Sequence, residues 1–303
     1  MRSPAVPAVD VRVCGRVIAM PDVLELPDDK TVAEISAAIR AVAAQEILPR
    51  FGRLAAGDIT EKAPGDLVTV ADRAAERELA ARLTRLLPGS QVVGEEAVYD
   101  DRAVLDLLRG EAPVWIIDPI DGTENYADGN ARFTVLVALA VRTELVASWI
   151  YVPCLDRMAH AVKGRGAYLD GERLHVAPAP APAQGLRDLD VLGSQPRFWE
   201  PDQRAAVSRL STHGVAYSYI DGAGTAYLAL ASGTRTSALM TWDYVWDHAA
   251  GLLVHAEAGG VTMCADGTAF KLTGGNALPF VAAPDEATAR AMVAGLAERV
   301  TAL

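Results

Sequence analysis

Apolar residues return every three to four positions over residues 31–51, where Ile35, Ala38, Ile39, Val42 and Ile47 form one stripe and Pro49 falls near the end. That spacing predicts an amphipathic helix. A second stripe, Ala75, Leu79, Leu83 and Leu86, predicts a helix over about 71–87, stopped by Pro88-Gly89. The period then shortens. Runs rich in Val, Ile and aromatic residues at 91–93, 114–118, 133–141, 145–151 and 158–162 predict strands, and Asp170-Gly171 within 166–176 marks a hairpin turn.

An alternating Pro/Ala stretch at 177–185 reads as a linker. Beyond it the two periods alternate. Strands are predicted at 189–192, 215–220 and 234–241, with helices at 200–211, 223–232 and 246–258 between and after them. A strand pair is expected at 261–264 and 269–272 around Asp266-Gly267, then a strand at 280–283 and a helix over about 286–300. The expected organisation is an extension (1–30), an N-terminal α+β domain (31–180) and a C-terminal α/β domain (186–303) in a sandwich architecture.

Composition narrows the partners. In 303 residues, 51% are hydrophobic and 22% charged, ordinary values for a folded chain. A formal charge of -11 argues against a nucleic-acid partner and requires a local cation beside any anionic ligand. No apolar run has the length of a membrane span, and the N-terminus lacks a signal-peptide pattern, so no membrane partner and a cytoplasmic location are expected. Cys14, Cys154 and Cys264 are dispersed and read as free thiols.

Candidate chemistry concentrates where an apolar strand meets a bent turn, Trp115-Ile116-Ile117-Asp118-Pro119-Ile120-Asp121-Gly122-Thr123. Two carboxylates at a strand end suit a hard divalent cation. Gly122 leaves room for a phosphate to approach backbone N–H groups, and Thr123 adds a hydroxyl. A plain Asx turn before a helix explains the same residues. Other acidic positions stand at element ends: Asp72 near a helix start, Glu95 of Gly94-Glu95-Glu96 after a strand, and Asp247 at the start of a helix ending Glu257-Ala258-Gly259-Gly260. Each alone is accounted for by a helix dipole or a cap.

In this order the segments Val68-Thr69-x-x-Asp72, Gly94-Glu95-Glu96, Asp118 to Thr123 and Trp246-Asp247 resemble the inositol monophosphatase family, from about Asp29 to the C-terminus. The resemblance implies a layered αβαβα sandwich of the sugar-phosphatase type and a phosphoric monoester hydrolase that uses two or three Mg²⁺ ions. It implies that Glu95, Asp118 and the Ile120 carbonyl hold one ion and that Asp118, Asp121 and Asp247 hold a second, with Glu95 reaching a weaker third. Thr123, hydrogen-bonded to Asp72, is expected with Glu95 to orient and deprotonate a water held at the metal. The Gly122 and Thr123 N–H groups are expected to hold the phosphate. A small phosphorylated substrate, inhibition by Ca²⁺ and Li⁺, and a homodimer are further expectations.

Of two Trp-Asp pairs, Trp246-Asp247 has the expected helix and ending, so Asp243 is read as structural. His248 and His255, seven apart, are read as packing or surface residues, and Gly164-Arg165-Gly166 as a hairpin turn. Family members that act on inositol phosphates carry an acidic residue where this chain has Met240. That puts strict inositol specificity in doubt and makes Asp221 and Gly224 candidates for leaving-group contacts, with Glu124 a second candidate for selectivity. Histidinol phosphate, fructose 1,6-bisphosphate and 3′-phosphoadenosine nucleotides are alternative substrates, and a partner-binding regulatory role is the non-enzymatic alternative.

Overall fold

The computed structural model describes residues 26–297, apart from 64, 179–185 and 188. Cys14, most of the expected extension, most of the expected linker and the last residues of the helix expected to run to about 300 lie outside the described residues. Helix α1 (Asp29–Val42) is capped by Asp28, whose carboxylate accepts the Thr31 N–H, and continues into a π-helical turn, Ala43–Ile47. A hairpin of β1 (Ile59–Ala63) and β2 (Asp66–Thr69) leads into α2 (Val70–Leu86) and β3 (Gln91–Gly94). Then come α3 (Glu95–Asp100), a 3₁₀ stretch Arg102–Arg109, β4 (Val114–Asp121) and α4 (Thr123–Ala127). Strands β5 (Thr134–Val141), β6 (Glu144–Val152), β7 (Arg157–Val162), β8 (Gly166–Leu169) and β9 (Glu172–Arg173) complete the first half. The second half contains β10 (Asp190–Gly193), α5 (Pro201–Ser211), β11 (Ala216–Tyr219), α6 (Ala223–Ala231) and β12 (Ser237–Met240). It ends with α7 (Val245–Glu257), β13 (Val261–Cys264), β14 (Phe280–Ala283) and α8 (Glu286–Ala297).

Strands β3 to β9 lie in sequence order in a 7-stranded sheet, parallel only at β3–β4. A 5-stranded sheet has the order β11-β10-β12-β14-β13, with β10 parallel to β11 and β12. Ile35, Ile39, Ala75, Leu79 and Leu83 of α1 and α2 cover one face of the larger sheet, against Trp115, Ile117, Val137, Leu139 and Trp149. Burying one such leucine stabilises the fold by about 1.5–3 kcal/mol. Its other face packs Ile116, Leu136, Ala138 and Ile150 against Tyr227, Ala249, Leu253 and Val254 of α6 and α7, and that same core includes Leu192, Ala238, Met240 and Phe280 of the smaller sheet. Helix α7 is apolar almost all round because both sides meet a sheet. Ala206, Leu210, Ala289 and Met292 of α5 and α8 close the outer face of the smaller sheet. The layers therefore run αβαβα, as expected.

Several local expectations fail for identifiable reasons. Leu86 is exposed, not buried, because α2 ends there; Leu87, turned out of helical geometry, packs on the core instead. No strand forms at 269–272, since the Asn276 side chain takes both the N–H and the carbonyl of Lys271, and β13 pairs with β14. The strand expected at 234–241 shrinks to Ser237–Met240, because the Thr234 and Arg235 N–H groups bond to the Ala229 carbonyl at the end of α6. The hairpin β1–β2 and helix α3 were not foreseen.

Candidate active site

Strand β4 does not end at Asp118. It continues to Asp121 through an irregularity in which Asp118 pairs with Leu136 and Asp121 with Thr134, three residues on β4 against two on β5. In an unbroken strand, residues three apart point to opposite faces. The extra residue restores the parity: Ile120 turns into the α1/α2 core, while Asp118 and Asp121 both face the α6/α7 layer. Both carboxylates are buried, with 2% and 7% of their surface exposed.

Asp121 is held firmly. Its Oδ1 accepts the Ala223 N–H (2.9 Å), and its Oδ2 accepts the Gly224 N–H and the Thr134 hydroxyl (both 2.8 Å), so it caps the start of α6. Burial raises its pKa and these bonds oppose the rise. Gly224, expected at the leaving group, is buried with its N–H on Asp121, and a Cβ there would lie 2.2 Å from Thr134 Oγ1. Asp221 is exposed, with its carboxylate 2.5 Å from Arg132 Nη1. Glu124 is exposed and ion-paired with Arg197.

Asp72 lies in the first turn of α2. Its Oδ2 accepts from the N–H (2.8 Å) and hydroxyl (2.5 Å) of Thr69, and its Oδ1 is 3.3 Å from Thr123 Oγ1. The Thr123 hydroxyl also lies 2.9 Å from the Ile120 carbonyl, so its single proton has two acceptors. Burial pushes the Asp72 carboxyl up to about 7 against the Thr69 bonds. Gly122 adopts φ 89°, the left-handed geometry that favours glycine, directly before α4.

Glu95 opens α3. The Lys62 ammonium from β1 reaches it at 2.6 Å and Glu96 at 2.9 Å, and only 3% of the lysine side chain is exposed. Burial raises the Glu95 carboxyl to about 7, with Lys62 opposing and Glu96 and Asp72 adding to the rise. Burial disfavours the Lys62 charge, but the two glutamates outweigh it and hold its pKa above the usual value. Glu76, one helical turn after Asp72, accepts the Glu96 and Ala97 N–H groups (2.8 and 2.9 Å) and so fixes the start of α3. Gly94 is required there, because a Cβ would lie 2.3 Å from Glu76 Cδ. Lys62 and Glu76 were missed from the sequence; the i+4 relation of Glu76 to Asp72 was the only available signal.

Asp247 sits in the first turn of α7, with Tyr244 and not Asp247 at the N-cap, and it accepts the indole N–H of Trp242. Burial, with Glu95 and Asp121 nearby, holds its carboxyl well above the usual range; Asp118 is raised likewise by burial and by Glu95, Asp121, Asp247 and Asp72. Asp243 turns away to accept from Asn276 (3.1 Å), a structural role. His248 is buried among Trp242, Phe270 and Phe280, its Nε2 3.0 Å from the Trp242 carbonyl and its Nδ1 3.2 Å from the Tyr227 hydroxyl. His255 is buried too, and burial lowers its pKa to about 4. The Gly164 and Gly166 N–H groups are taken by the two Glu257 oxygens (2.7 Å each), which makes that loop a clasped turn.

Among the described residues no three His, Cys, Asp or Glu side chains are already gathered as a ligand cage. The fit for a metal rests on the side-chain donors: all carboxylates, mutually repelling, buried, with Lys62 the one cation bonded to them in the described contacts. Oxygen donors of this kind suit a hard divalent ion that lifts the repulsion.

The profile of the inositol monophosphatase family matches residues 28–301. The chain belongs to the inositol monophosphatase family. Within that family it is 31% identical over 257 residues to the inositol-1-monophosphatase of Mesorhizobium japonicum, covering 83% of this chain and 91% of that protein. It is 29% identical over 229 residues to the fructose-1,6-bisphosphatase/inositol-1-monophosphatase of Aquifex aeolicus, covering 74% and 83%. In fold it is similar to the extragenic suppressor protein suhB of Bartonella henselae, with a TM-score of 0.72 at 22% identity over 89% of this chain and 100% of that one. Membership makes the chain a magnesium-dependent phosphoric monoester hydrolase. No helix among the described residues is long and apolar enough to cross a membrane.

Proposed function

We propose that the chain hydrolyses the phosphate monoester of a small polyol or sugar by direct attack of water, with two or three Mg²⁺ ions at rest or in turnover. The observation that carries this reading is the placement of Asp118 and Asp121 on one face of β4, with Asp247 and Glu95 close enough to raise the pKa of Asp118. Glu95, Asp118 and the Ile120 carbonyl would hold one ion, and Asp118, Asp121 and Asp247 a second. When bound, Mg²⁺ supplies an acidified water and neutralises charge on the phosphoryl and leaving oxygens.

The chain's own residues divide the remaining work. The Gly122 and Thr123 N–H groups bind phosphate oxygens, and the Thr123 hydroxyl accepts a proton from the attacking water as it passes its own to Asp72. A carboxyl raised to about 7 suits a proton acceptor near neutral pH. Glu95 orients the same water. Gly224 acts through Asp121, and Asp221 reads the leaving group. With Met240 fully buried, no carboxylate from the end of β12 reaches a polyol, which supports a substrate other than inositol monophosphate alone. The chain works in the cytoplasm as a homodimer.

The test is phosphate release from inositol 1-phosphate, histidinol phosphate, fructose 1,6-bisphosphate and 3′-phosphoadenosine nucleotides. Release with Mg²⁺ that vanishes in EDTA is expected; full activity in EDTA, or none on any ester with Mg²⁺, overturns the proposal.

A further inference from the structure

We propose that Asn125 is a positioning residue that holds the phosphate-binding turn in fixed relation to Asp121, an inference that rests on reading Gly122 and Thr123 as phosphate donors. Asn125 is in α4, just past that turn. Its Nδ2 lies 2.9 Å from the Arg132 carbonyl and 2.8 Å from the Asp221 carbonyl. Both neighbours only accept, so the amide must present its NH₂ end, with one hydrogen for each. Its Oδ1 accepts from Asn130 Nδ2 (2.9 Å), which fixes the orientation from the other side.

The two carbonyls come from different parts of the molecule. Arg132 lies on the loop before β5, two residues ahead of Thr134, which bonds to Asp121. Asp221 lies just before α6, whose first N–H groups grip the same carboxylate. Both oxygens close on Gly122: a Cβ built there would stand 3.1 Å from the Arg132 carbonyl, 3.5 Å from Asn125 Nδ2 and 3.6 Å from the Asp221 carbonyl. Asn125 Nδ2 bonds to both carbonyl oxygens and is the donor that ties them together beside Gly122. At the far end, a Cβ on Gly222 would lie 2.8 Å from Asp121 Oδ2, so the backbone from the clasp to the carboxylate has no slack.

The Arg132–Asp221 ion pair crosses the same junction, but its side chains are 66% and 42% exposed. Salt screens such a pair, whereas the Asn125 bonds, which also lie at the surface, join neutral groups and are not weakened by it. Without it the two carbonyls repel, the Gly122 turn shifts against Asp121, and bound phosphate loses its alignment.

The test compares the full chain with its Asn125→Asp and Asn130→Ala variants in Mg²⁺, reading KM and kcat on an ester the unmodified chain hydrolyses, calorimetric affinity for inorganic phosphate, and melting temperature. Asn125→Asp keeps the shape and replaces the donor with a carboxylate facing two carbonyls. We expect it to raise KM and the phosphate Kd about tenfold or more, with a smaller change in kcat and a melting temperature within a few degrees. Asn130→Ala removes only the orienting donor and shifts the phosphate Kd less, in the same direction. Unaltered phosphate affinity and KM in Asn125→Asp, or a loss confined to melting temperature, overturns the proposal. If that variant does not fold, unaltered phosphate affinity in Asn130→Ala overturns it. An unmodified chain that neither releases nor binds phosphate in Mg²⁺ overturns the reading of the site instead.

Discussion

The two flanks of the carboxylate cluster are built differently. Around Asp121, neutral donors from α6 and β5 hold both oxygens and favour the ionised carboxylate, so the group is placed without any cation beside it. Around Glu95, the partner is the nearly buried Lys62 ammonium, shared with Glu96 and carried on a hairpin paired only within itself. Dipoles fix geometry without adding charge, whereas a lysine supplies the positive charge itself. The first flank is held by dipoles and the second by charge, and the second is the one a bound cation would compete for.

The most severe way to break this contrast is Asp118→Asn, which removes the group between the flanks. Magnesium-dependent phosphate release should fall by about a thousandfold or more, while the metal-free protein melts higher because a repelled buried charge is gone. Activity within tenfold of the unmodified chain would contradict the assignment. Lys62→Met strikes the charge-held flank alone. Loss of a buried pair's cation costs on the order of 3 kcal/mol, and calorimetric melting should show that Mg²⁺ restores most of it. An equal loss with and without Mg²⁺ would make Lys62 merely structural.

Glycine substitutions probe the two flanks themselves. Gly224→Ala presses on Thr134, and Gly94→Ala presses on Glu76. Each should cost about 1–3 kcal/mol in denaturant unfolding and lower activity. Stability also depends on pH. Asp72, Glu76 and Glu95 are raised to about 7, so the folded, metal-free chain keeps protons that the unfolded chain releases at its ordinary carboxylate pKa. Stability contributed by those protons is full below that ordinary range and declines as pH rises through about 7. A metal-free melting temperature that does not fall between about pH 5 and about pH 8 would contradict the burial assigned to these groups. Smallest of all, Asp243→Asn should cost under about 1 kcal/mol and leave phosphate release intact, since its partners are donors on Asn276.

Much of the large framework could be read from hydropathy, because α1 and α2 carry one apolar stripe each and β4, β5 and β6, covered on both faces, are nearly continuous apolar runs. Short elements escaped: β1, β2 and α3 span too few residues for a period to show. Asn276 explains the false strand at 269–272, since a side chain taking both polar groups of Lys271 leaves no mark on hydropathy. At the site, the Asp118 to Thr123 segment stood out because strand, proline, glycine and carboxylates adjoin in sequence. Lys62, Glu76 and Asn125 did not, because their partners are brought near only by folding.

The irregularity in β4 also sets a rule for variation in length. Side-chain direction along a strand counts in twos, and the extra residue between Asp118 and Asp121 makes an odd spacing behave as an even one. Ironing out the irregularity at the present length would send one of the two carboxylates into the apolar layer beneath α1 and α2, whereas deleting Pro119 or Ile120 would leave them two apart on one face of a regular ladder. The segment is constrained in parity, not in length.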